Sequence, residues 1–134
     1  MRPFDIVVVS HGGLADAMVA AAFMICGPSA GVGALGLDPS DSPESYGERL
    51  RAMLDETRPT LILSDLYGGT PHNVACAVAR GRSMLRCISG ANLGLLIEAI
   101  TAGEELDDRL VDRLVSLARE GVVDVTSRLS LSRD

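Results

Sequence analysis

The chain has 134 residues, the length of one ordinary domain, and 47% of them are hydrophobic, which is enough to fill a sizeable core. With a formal net charge of −6, no lysine and only 3% aromatic residues, it lacks the basic clusters and stacking side chains of a nucleic-acid-binding protein. No apolar run approaches the roughly 20 residues of a membrane span, and the N-terminus has no signal-peptide pattern, so we expect a cytoplasmic protein without direct membrane insertion.

Apolar periodicity divides the chain into alternating strands and helices. The run Asp5-Ile6-Val7-Val8-Val9 predicts a buried strand that ends at Ser10-His11-Gly12-Gly13, and a pattern of helical period follows over Leu14–Ile25. The further predicted elements are, in chain order, a strand over Val32–Leu37, a helix from Pro43 to about Glu56, a strand over Thr60–Ser64, a helix over about Pro71–Ala79, a strand over Met84–Ile88, helices over about Leu93–Ala102 and Leu106–Arg119, and a last short strand over Val122–Val125. Ser42 and Thr70 are the predicted N-caps of the two helices that begin with proline.

This order of elements predicts an α/β fold in one domain over residues 1–134. We expect a doubly wound, mostly parallel sheet with helices on both faces. In such a sheet, ligands bind beyond the carboxyl ends of the strands. Three polar loops follow predicted strands at that edge, namely Ser10-His11-Gly12-Gly13, Asp65–Thr70 and Ser89–Asn92. The three loops are therefore expected to converge on one site.

His11 and Asp65 carry the predicted chemistry of this site. A carboxylate that accepts a proton from one imidazole nitrogen fixes the tautomer and leaves the other nitrogen as a nucleophile. Glycine amides and hydroxyl groups are suited to hold phosphoryl oxygens. The residues predicted to bind phosphate are Ser10, Gly12, Gly68, Gly69 and Thr70. Phosphoryl transfer, which needs mostly positioning and charge stabilisation, is the reaction that this set favours.

The same residues also have purely structural interpretations. Asp65 is a common kind of loop residue, Gly68-Gly69 is also explained as a turn without a ligand, and Thr70 is also explained as a plain helix start. The chain contains neither a Gly-x-Ser-x-Gly motif nor a P-loop. An anion-binding module or a structural dimer built on the same loops therefore remains open at this point.

The three cysteines form no metal-binding or redox pattern. Cys26, Cys76 and Cys87 are widely spaced and make no Cys-x-x-Cys pair and no Cys/His cluster. We predict that they are small buried hydrophobic residues. The site is accordingly expected to use neither a metal nor a cofactor.

Two motifs at a characteristic distance point to a family. Val7-Val8-Val9-Ser10-His11-Gly12 lies near the N-terminus, and Ser64-Asp65-Leu66-Tyr67-Gly68-Gly69-Thr70-Pro71-His72-Asn73 lies in mid-chain. Together they resemble the mannose/fructose-type IIA domain of the bacterial sugar phosphotransferase system, and the likeness covers about residues 5–126. The Asp-x-x-Gly-Gly-Thr/Ser-Pro-x-Asn pattern is the specific part, and His72 is not one of its defining residues.

The resemblance implies a phosphotransferase with a phosphohistidine intermediate. His11 matches the family histidine that receives a phosphoryl group from the histidine-containing phosphocarrier protein and passes it to a IIB partner during sugar uptake. Asp65 matches the carboxylate that orients this histidine, and Thr70 matches a hydroxyl near the phosphoryl group. The family is usually dimeric, with a final antiparallel strand exchanged between subunits, and Val122–Val125 is placed to be that strand.

Two related functions remain alternatives to sugar transport. We expect a free IIA domain without a fused IIB domain, and such a domain serves either a transporter or a regulatory phosphorelay without one. A dihydroxyacetone-kinase-type phosphocarrier also begins with a strand and a histidine, but its mid-chain loop lacks the Gly-Gly-Thr-Pro run. Phosphate incorporation from phosphoenolpyruvate in the presence of the general phosphotransfer proteins separates the phosphocarriers from an anion-binding module.

Overall fold

Strands and helices alternate along the chain in the computed structural model, which describes residues 2–129. The elements within this range are β1 (Asp5–His11), α1 (Leu14–Cys26), β2 (Val32–Leu37), α2 (Pro43–Met53), β3 (Thr60–Ser64), α3 (Thr70–Ala79), β4 (Leu85–Ser89), α4 (Leu93–Thr101), α5 (Asp108–Glu120) and α6 (Val125–Arg128). This alternation confirms the predicted α/β class. In this described range, no helix combines the length and the apolar character needed to cross a bilayer.

The strands form one parallel sheet in the order β2-β1-β3-β4. The chain first adds β2 on one side of β1 and then returns across β1 to add β3 and β4 on the other side. His11 pairs in register with Leu37 of β2, and Val9 pairs with Ser64 of β3. The direction of winding therefore reverses between β1 and β3, and this is the position where open α/β sheets bind ligands.

Both faces of the sheet are covered by helices, so the central strands are apolar on both sides. Ile6 and Val8 of β1 face a core that includes buried residues of α1, α4 and α5. Val7 and Val9 face a second core, to which α2 and α3 contribute buried residues. Alternate residues of a strand point to opposite faces, and an uninterrupted Val/Ile run therefore serves both cores. The predicted doubly wound arrangement is confirmed.

The predicted last strand over Val122–Val125 is not confirmed. Val122–Asp124 have no regular structure, and α6 begins at Val125. A strand needs a neighbour with which to exchange hydrogen bonds, and within residues 2–129 this segment pairs with no strand of the sheet. The Asp124 side chain instead accepts the backbone N–H of Ser127 and thereby caps the short helix.

Helix boundaries follow local capping. Ser42 is confirmed as the N-cap of α2, where it exchanges two hydrogen bonds with Ser45 in a capping box. The prediction that Thr70 caps α3 is wrong, because Gly69 is the N-cap and Thr70 is already the first helical residue. α5 begins at Asp108, later than predicted, because the side chain of Asp107 accepts the Leu110 N–H.

The prediction that the three cysteines are buried is wrong, since Cys26, Cys76 and Cys87 are all exposed. Cys26 is the last residue of α1, and Cys87 lies on β4 at the edge of the sheet, where fewer neighbours cover a side chain. The sulfur of Cys87 is nevertheless partly covered, and burial raises the pKa of its thiol to about 11. This thiol is therefore protonated at neutral pH.

Candidate functional site

The ends of β1 and β3 bring His11 and Asp65 together. The backbone N–H of Asp65 donates to the carbonyl of Val9 at 3.2 Å, which places this residue directly beyond the paired part of β3. Oδ2 of Asp65 accepts the backbone N–H of His11 at 3.0 Å and lies 2.9 Å from His11 Nδ1. A carboxylate oxygen only accepts hydrogen bonds, so the neutral imidazole carries its proton on Nδ1 and leaves Nε2 unprotonated.

The pair differs in exposure, which gives its members different roles. The His11 side chain is 49% exposed, whereas the Asp65 side chain is only 10% exposed. Burial by itself would raise the pKa of the Asp65 carboxyl, but hydrogen bonds from the His11 backbone and ring, with the charge of the ring, hold that pKa below its usual value. Within the described part of the chain, Oδ1 of Asp65 is buried without a hydrogen-bond partner. The carboxylate therefore directs its hydrogen bonding to His11 alone.

A glycine turn borders the other side of the imidazole. The Gly69 N–H donates to the Leu66 carbonyl at 3.1 Å, and Gly68 between them has a φ of +83°, a conformation that favours glycine. A Cβ at position 69 would lie 2.8 Å from His11 Cε1 and 3.4 Å from Nε2. The absence of a side chain at Gly69 is therefore what allows the turn to lie against the histidine ring.

The loop after His11 rests on β2. The Gly12 N–H donates to the Leu37 carbonyl at 2.9 Å, and a Cβ at Gly36 would lie only 2.0 Å from the Gly12 carbonyl oxygen. Gly36 thus permits a close approach of two backbone segments. Gly13 then serves as the N-cap of α1 without a side-chain cap. The first N–H groups of a helix have no partner within the helix and favour an anion nearby.

Ser10 and Thr70, both predicted to bind phosphate, occupy different surroundings. Ser10 is fully buried, and its hydroxyl accepts the Ala15 N–H at 2.7 Å and donates to the His11 carbonyl at 3.0 Å. Those two bonds shape the loop and leave the hydroxyl away from solvent. Thr70 is partly exposed in the first turn of α3, beside a cleft that also borders Asn73 and α2.

The third polar loop lies at the same edge of the sheet but is engaged in structure. The Ala91 N–H donates to the Ser64 carbonyl at 2.9 Å. The Asn92 side chain caps α4 by accepting the Leu95 N–H and donates to the Ala118 carbonyl of α5 at 2.9 Å. Its amide therefore links two helices rather than facing the pair of His11 and Asp65.

The sequence places His72 close to the site and Asn73 in the mid-chain motif, but it predicts neither the contacts of these two residues nor a position near the site for Tyr46. His72 and Asn73 hydrogen-bond the two backbone groups of Gly68, and Tyr46 lies buried below the site with its hydroxyl donating to the Leu35 carbonyl at 2.6 Å. Burial raises the pKa of the Tyr46 hydroxyl above its usual range, so it stays protonated as a donor. His72 and Asn73 lie in the first helical turn after a glycine pair, and this position was the sequence signal for their contacts with Gly68.

Metal ligands do not assemble around this pair. Within residues 2–129 no group of three or more His, Cys, Asp or Glu side chains is placed to hold a metal ion. What the arrangement offers is an exposed, unprotonated imidazole nitrogen, a buried carboxylate behind it and two glycine-rich loops beside it. A nucleophile held in this way is suited to accept a transferable group.

Comparison with known proteins identifies the family. The family described as "PTS system fructose IIA component" matches residues 5–113. The mannose-specific EIIAB component of Escherichia coli (strain K12) is 34% identical over 124 residues, which cover 87% of this chain and 38% of that protein. The sorbose-specific EIIA component of Lacticaseibacillus casei is 24% identical over 129 residues, and 94% of each chain is covered.

A solved structure adds the fold to this likeness. The mannose/sorbose-specific IIA subunit of the phosphotransferase system from Enterococcus faecalis superposes with a TM-score of 0.86 at 33% identity, covering 93% of this chain and 96% of that chain. The chain thus spans 38% of the length of the Escherichia coli relative and nearly the full length of the free subunit. The resemblance inferred from the two motifs is confirmed: the chain belongs to the PTS fructose/mannose IIA family.

Proposed function

We propose that this chain, acting as a single domain over residues 1–134, is a IIA phosphocarrier in which His11 accepts a phosphoryl group on Nε2. The observation that carries the proposal is the 2.9 Å contact between Asp65 Oδ2 and His11 Nδ1, which leaves Nε2 as the nucleophile. Membership of the phosphotransferase-system family supports it, and the names of the relatives suggest a hexose such as mannose or sorbose as the sugar served. We also propose that the protein is cytoplasmic.

In the proposed step, the lone pair of Nε2 attacks the phosphorus of a donor phosphohistidine. A new P–N bond forms while the donor's P–N bond breaks, and the bonding electrons return to the donor imidazole. The proton on His11 Nδ1 stays in place, hydrogen-bonded to Asp65 Oδ2. The carboxylate stabilises the positive charge that develops on the attacking ring. Transfer to the next protein reverses these roles.

The proposed phosphate-binding set is Gly12, Gly68, Gly69 and Thr70. Gly69 brings backbone close to the imidazole, Gly68 and Gly12 adjoin Gly69 and His11 in the chain, and Thr70 begins the helix that follows Gly69. The N-termini of α1 and α3 supply positive potential, so transfer from a phosphorylated donor is expected to proceed in excess EDTA. Ser10 is left out of this set because its hydroxyl is buried and engaged within the loop.

The proposed donor is the histidine-containing phosphocarrier protein, and the proposed acceptor is a IIB protein. We further propose a homodimer in which the apolar segment Val122–Val125 gains a strand partner from a second copy, since β4 is an edge strand and Val122 and Val125 are exposed. Sedimentation at micromolar concentration measures whether the chain is a monomer or a dimer. A monomer there contradicts the dimer without affecting the chemistry of His11.

Phosphate incorporation tests the central proposal. The chain is incubated with labelled phosphoenolpyruvate, the first enzyme of the system and the histidine-containing phosphocarrier, and acid-labile label on the chain is measured. We expect labelling of the wild type and of His72→Ala, and none of His11→Ala. An unlabelled wild type contradicts the proposal and favours an anion-binding module. Label retained by His11→Ala and lost by His72→Ala contradicts the choice of histidine.

A further inference from the structure

We propose that His72 is a positioning residue for His11, because its Nδ1 holds the Gly68 amide and thereby fixes the turn that borders the reactive nitrogen. The inference rests on the proposed function of His11. It assigns a role to a histidine that lies outside the defining residues of the motif. Within residues 2–129 the His72 side chain hydrogen-bonds the Gly68 turn and its own helix and makes no hydrogen bond to His11, so it acts through the turn.

The turn itself is short and depends on glycine. Leu66 and Gly69 are joined by the 3.1 Å hydrogen bond from the Gly69 N–H to the Leu66 carbonyl, with Tyr67 and Gly68 between them. The φ of +83° at Gly68 is that of the third residue of a type II turn. Tyr67 is 73% exposed, and its ring meets the His72 ring edge-on at a centroid distance of 4.8 Å. Few contacts of the turn itself therefore fix its position.

Two side chains of α3 supply the missing support. The Gly68 N–H donates to His72 Nδ1 at 3.1 Å, and Asn73 Nδ2 donates to the Gly68 carbonyl at 3.1 Å. Both backbone polar groups of Gly68 are thus bonded to the first turn of a helix whose other face is buried against the sheet. If either hydrogen bond is removed, only one of the two backbone polar groups of Gly68 stays bonded to α3.

The bond from Gly68 determines the tautomer of His72. A backbone N–H only donates, so Nδ1 of neutral His72 is unprotonated and Nε2 carries the proton. Nε2 lies 3.5 Å from Cys76 Sγ, which can accept that proton's hydrogen bond. Asn73 Oδ1 also lies 3.1 Å from Nδ1, but as an acceptor it cannot pair with an unprotonated nitrogen. The acceptor at Nδ1 is therefore the feature of His72 on which the turn depends.

The position of the turn matters because Gly69 follows Gly68 directly and lies on the His11 ring. A Cβ at Gly69 would be 2.8 Å from His11 Cε1 and 3.4 Å from Nε2, so the Gly69 backbone bounds the space in which a phosphoryl group must approach Nε2. A shift of the turn changes that space and the orientation of the ring. Small displacements of reacting groups lower rates while leaving the fold intact.

Three substitutions separate the acceptor from the rest of the side chain. His72→Asn keeps an acceptor at the δ position, where Nδ1 lies. His72→Phe keeps an aromatic ring against Tyr67 without an acceptor, and His72→Gln places its amide oxygen one bond farther out. Each variant is measured in two assays: hydrogen exchange of the Gly68 amide by NMR, and the kcat and KM of phosphoryl transfer from the phosphorylated histidine-containing phosphocarrier.

We expect Gly68 exchange to rise and kcat to fall, each by about five-fold, in His72→Phe and His72→Gln, with KM unchanged and both values restored in His72→Asn. Wild-type exchange and wild-type kcat in His72→Phe overturn the proposal, and so does an equal loss in His72→Asn and His72→Phe. If wild-type protein accepts no phosphoryl group while the exchange differences remain, the proposed function fails and the support of the turn by His72 stands. Thermal unfolding of each variant confirms that the comparison is between folded proteins.

Discussion

A basic side chain at each end of the sheet, His11 at one and Arg2 at the other, is bonded in the opposite way. At the carboxyl end, His11 is half exposed and has one nitrogen bonded to Asp65, while the other has no hydrogen-bond partner within residues 2–129. At the amino end, Arg2 is only 8% exposed and donates to the carbonyls of Phe4, Ala30 and Ile100 and to the Ser29 hydroxyl. The first arrangement leaves a group available for chemistry, and the second uses its donors to join chain segments.

Cavity volume alone points to the end of the sheet opposite His11. The hollow beside Arg2 has a volume of about 650 Å³ and is also lined by Asp5 and Arg58, which form an ion pair at 2.9 Å. Its charged groups are already bonded within the chain, whereas at the carboxyl end of the sheet Asp65 bonds only one of the two nitrogens of the His11 ring. Under the proposed function, unused hydrogen-bonding capacity therefore identifies the reactive end, and the size of the depression does not.

Three substitutions test this comparison of the two ends of the sheet. Asp65→Asn is expected to have the largest effect. The asparagine oxygen can still accept a hydrogen bond, but the negative charge behind the ring is lost, so we expect kcat for phosphoryl transfer to fall about 100-fold. Assays of phosphoryl transfer from a phosphorylated donor measure this kcat. Asp112→Asn, at an exposed site on α5, is the matched control and should transfer at the wild-type rate. A wild-type rate in Asp65→Asn contradicts the role of the carboxylate.

An intermediate effect, on stability rather than on rate, is expected from Arg2→Met. The substitution removes the donors of three backbone carbonyls, so the free energy of unfolding should fall by about 2 kcal/mol while the folded protein transfers phosphoryl groups normally. Urea denaturation and transfer assays on the same preparation measure both quantities. Impaired transfer at unchanged stability would show that the two ends of the sheet are not separate in function.

The smallest of the three effects is expected from Gly69→Ala. Gly69 has an ordinary φ of −73°, so alanine costs nothing in backbone conformation, and the added methyl group meets the His11 ring at 2.8 Å. We expect kcat to fall about ten-fold as the ring is displaced. Gly103→Ala adds a methyl group in open space and should be neutral. Equal rates for the two variants would mean that the ring does not depend on this contact.

The fold and the central pair were predictable because both follow from the apolar pattern. Alternating strand and helix patterns imply parallel strands, and the carboxyl ends of parallel strands meet at one edge. His11 and Asp65 each lie at the end of such a strand, so their proximity followed without any knowledge of the loops. The order β2-β1-β3-β4 then places them on adjacent strands.

The orientation of individual side chains was less predictable. Ser10 was expected to face a ligand, yet it follows Ile6 and Val8 on the α1 side of the strand, and the period of two would have predicted its burial. Thr70 was displaced from the cap because the preceding type II turn leaves Gly69 in the extended conformation of an N-cap. The strand period therefore accounts for Ser10, whereas loop dihedral angles, which periodicity does not specify, decided the position of Thr70.

Asp65 Oδ2 accepts two hydrogen bonds from His11, and this limits how the partner proteins can bind at the site. One oxygen atom holds both the backbone and the ring of His11, so a loaded imidazole and an empty one share the same anchor and present Nε2 in the same direction. Under the proposed function, the protein that delivers a phosphoryl group and the protein that removes it must therefore visit the same face. The two cannot be bound to one subunit at once, and each cycle requires one partner to leave before the next arrives. An excess of either partner would then slow phosphoryl transfer, because it would occupy the face that the other partner needs.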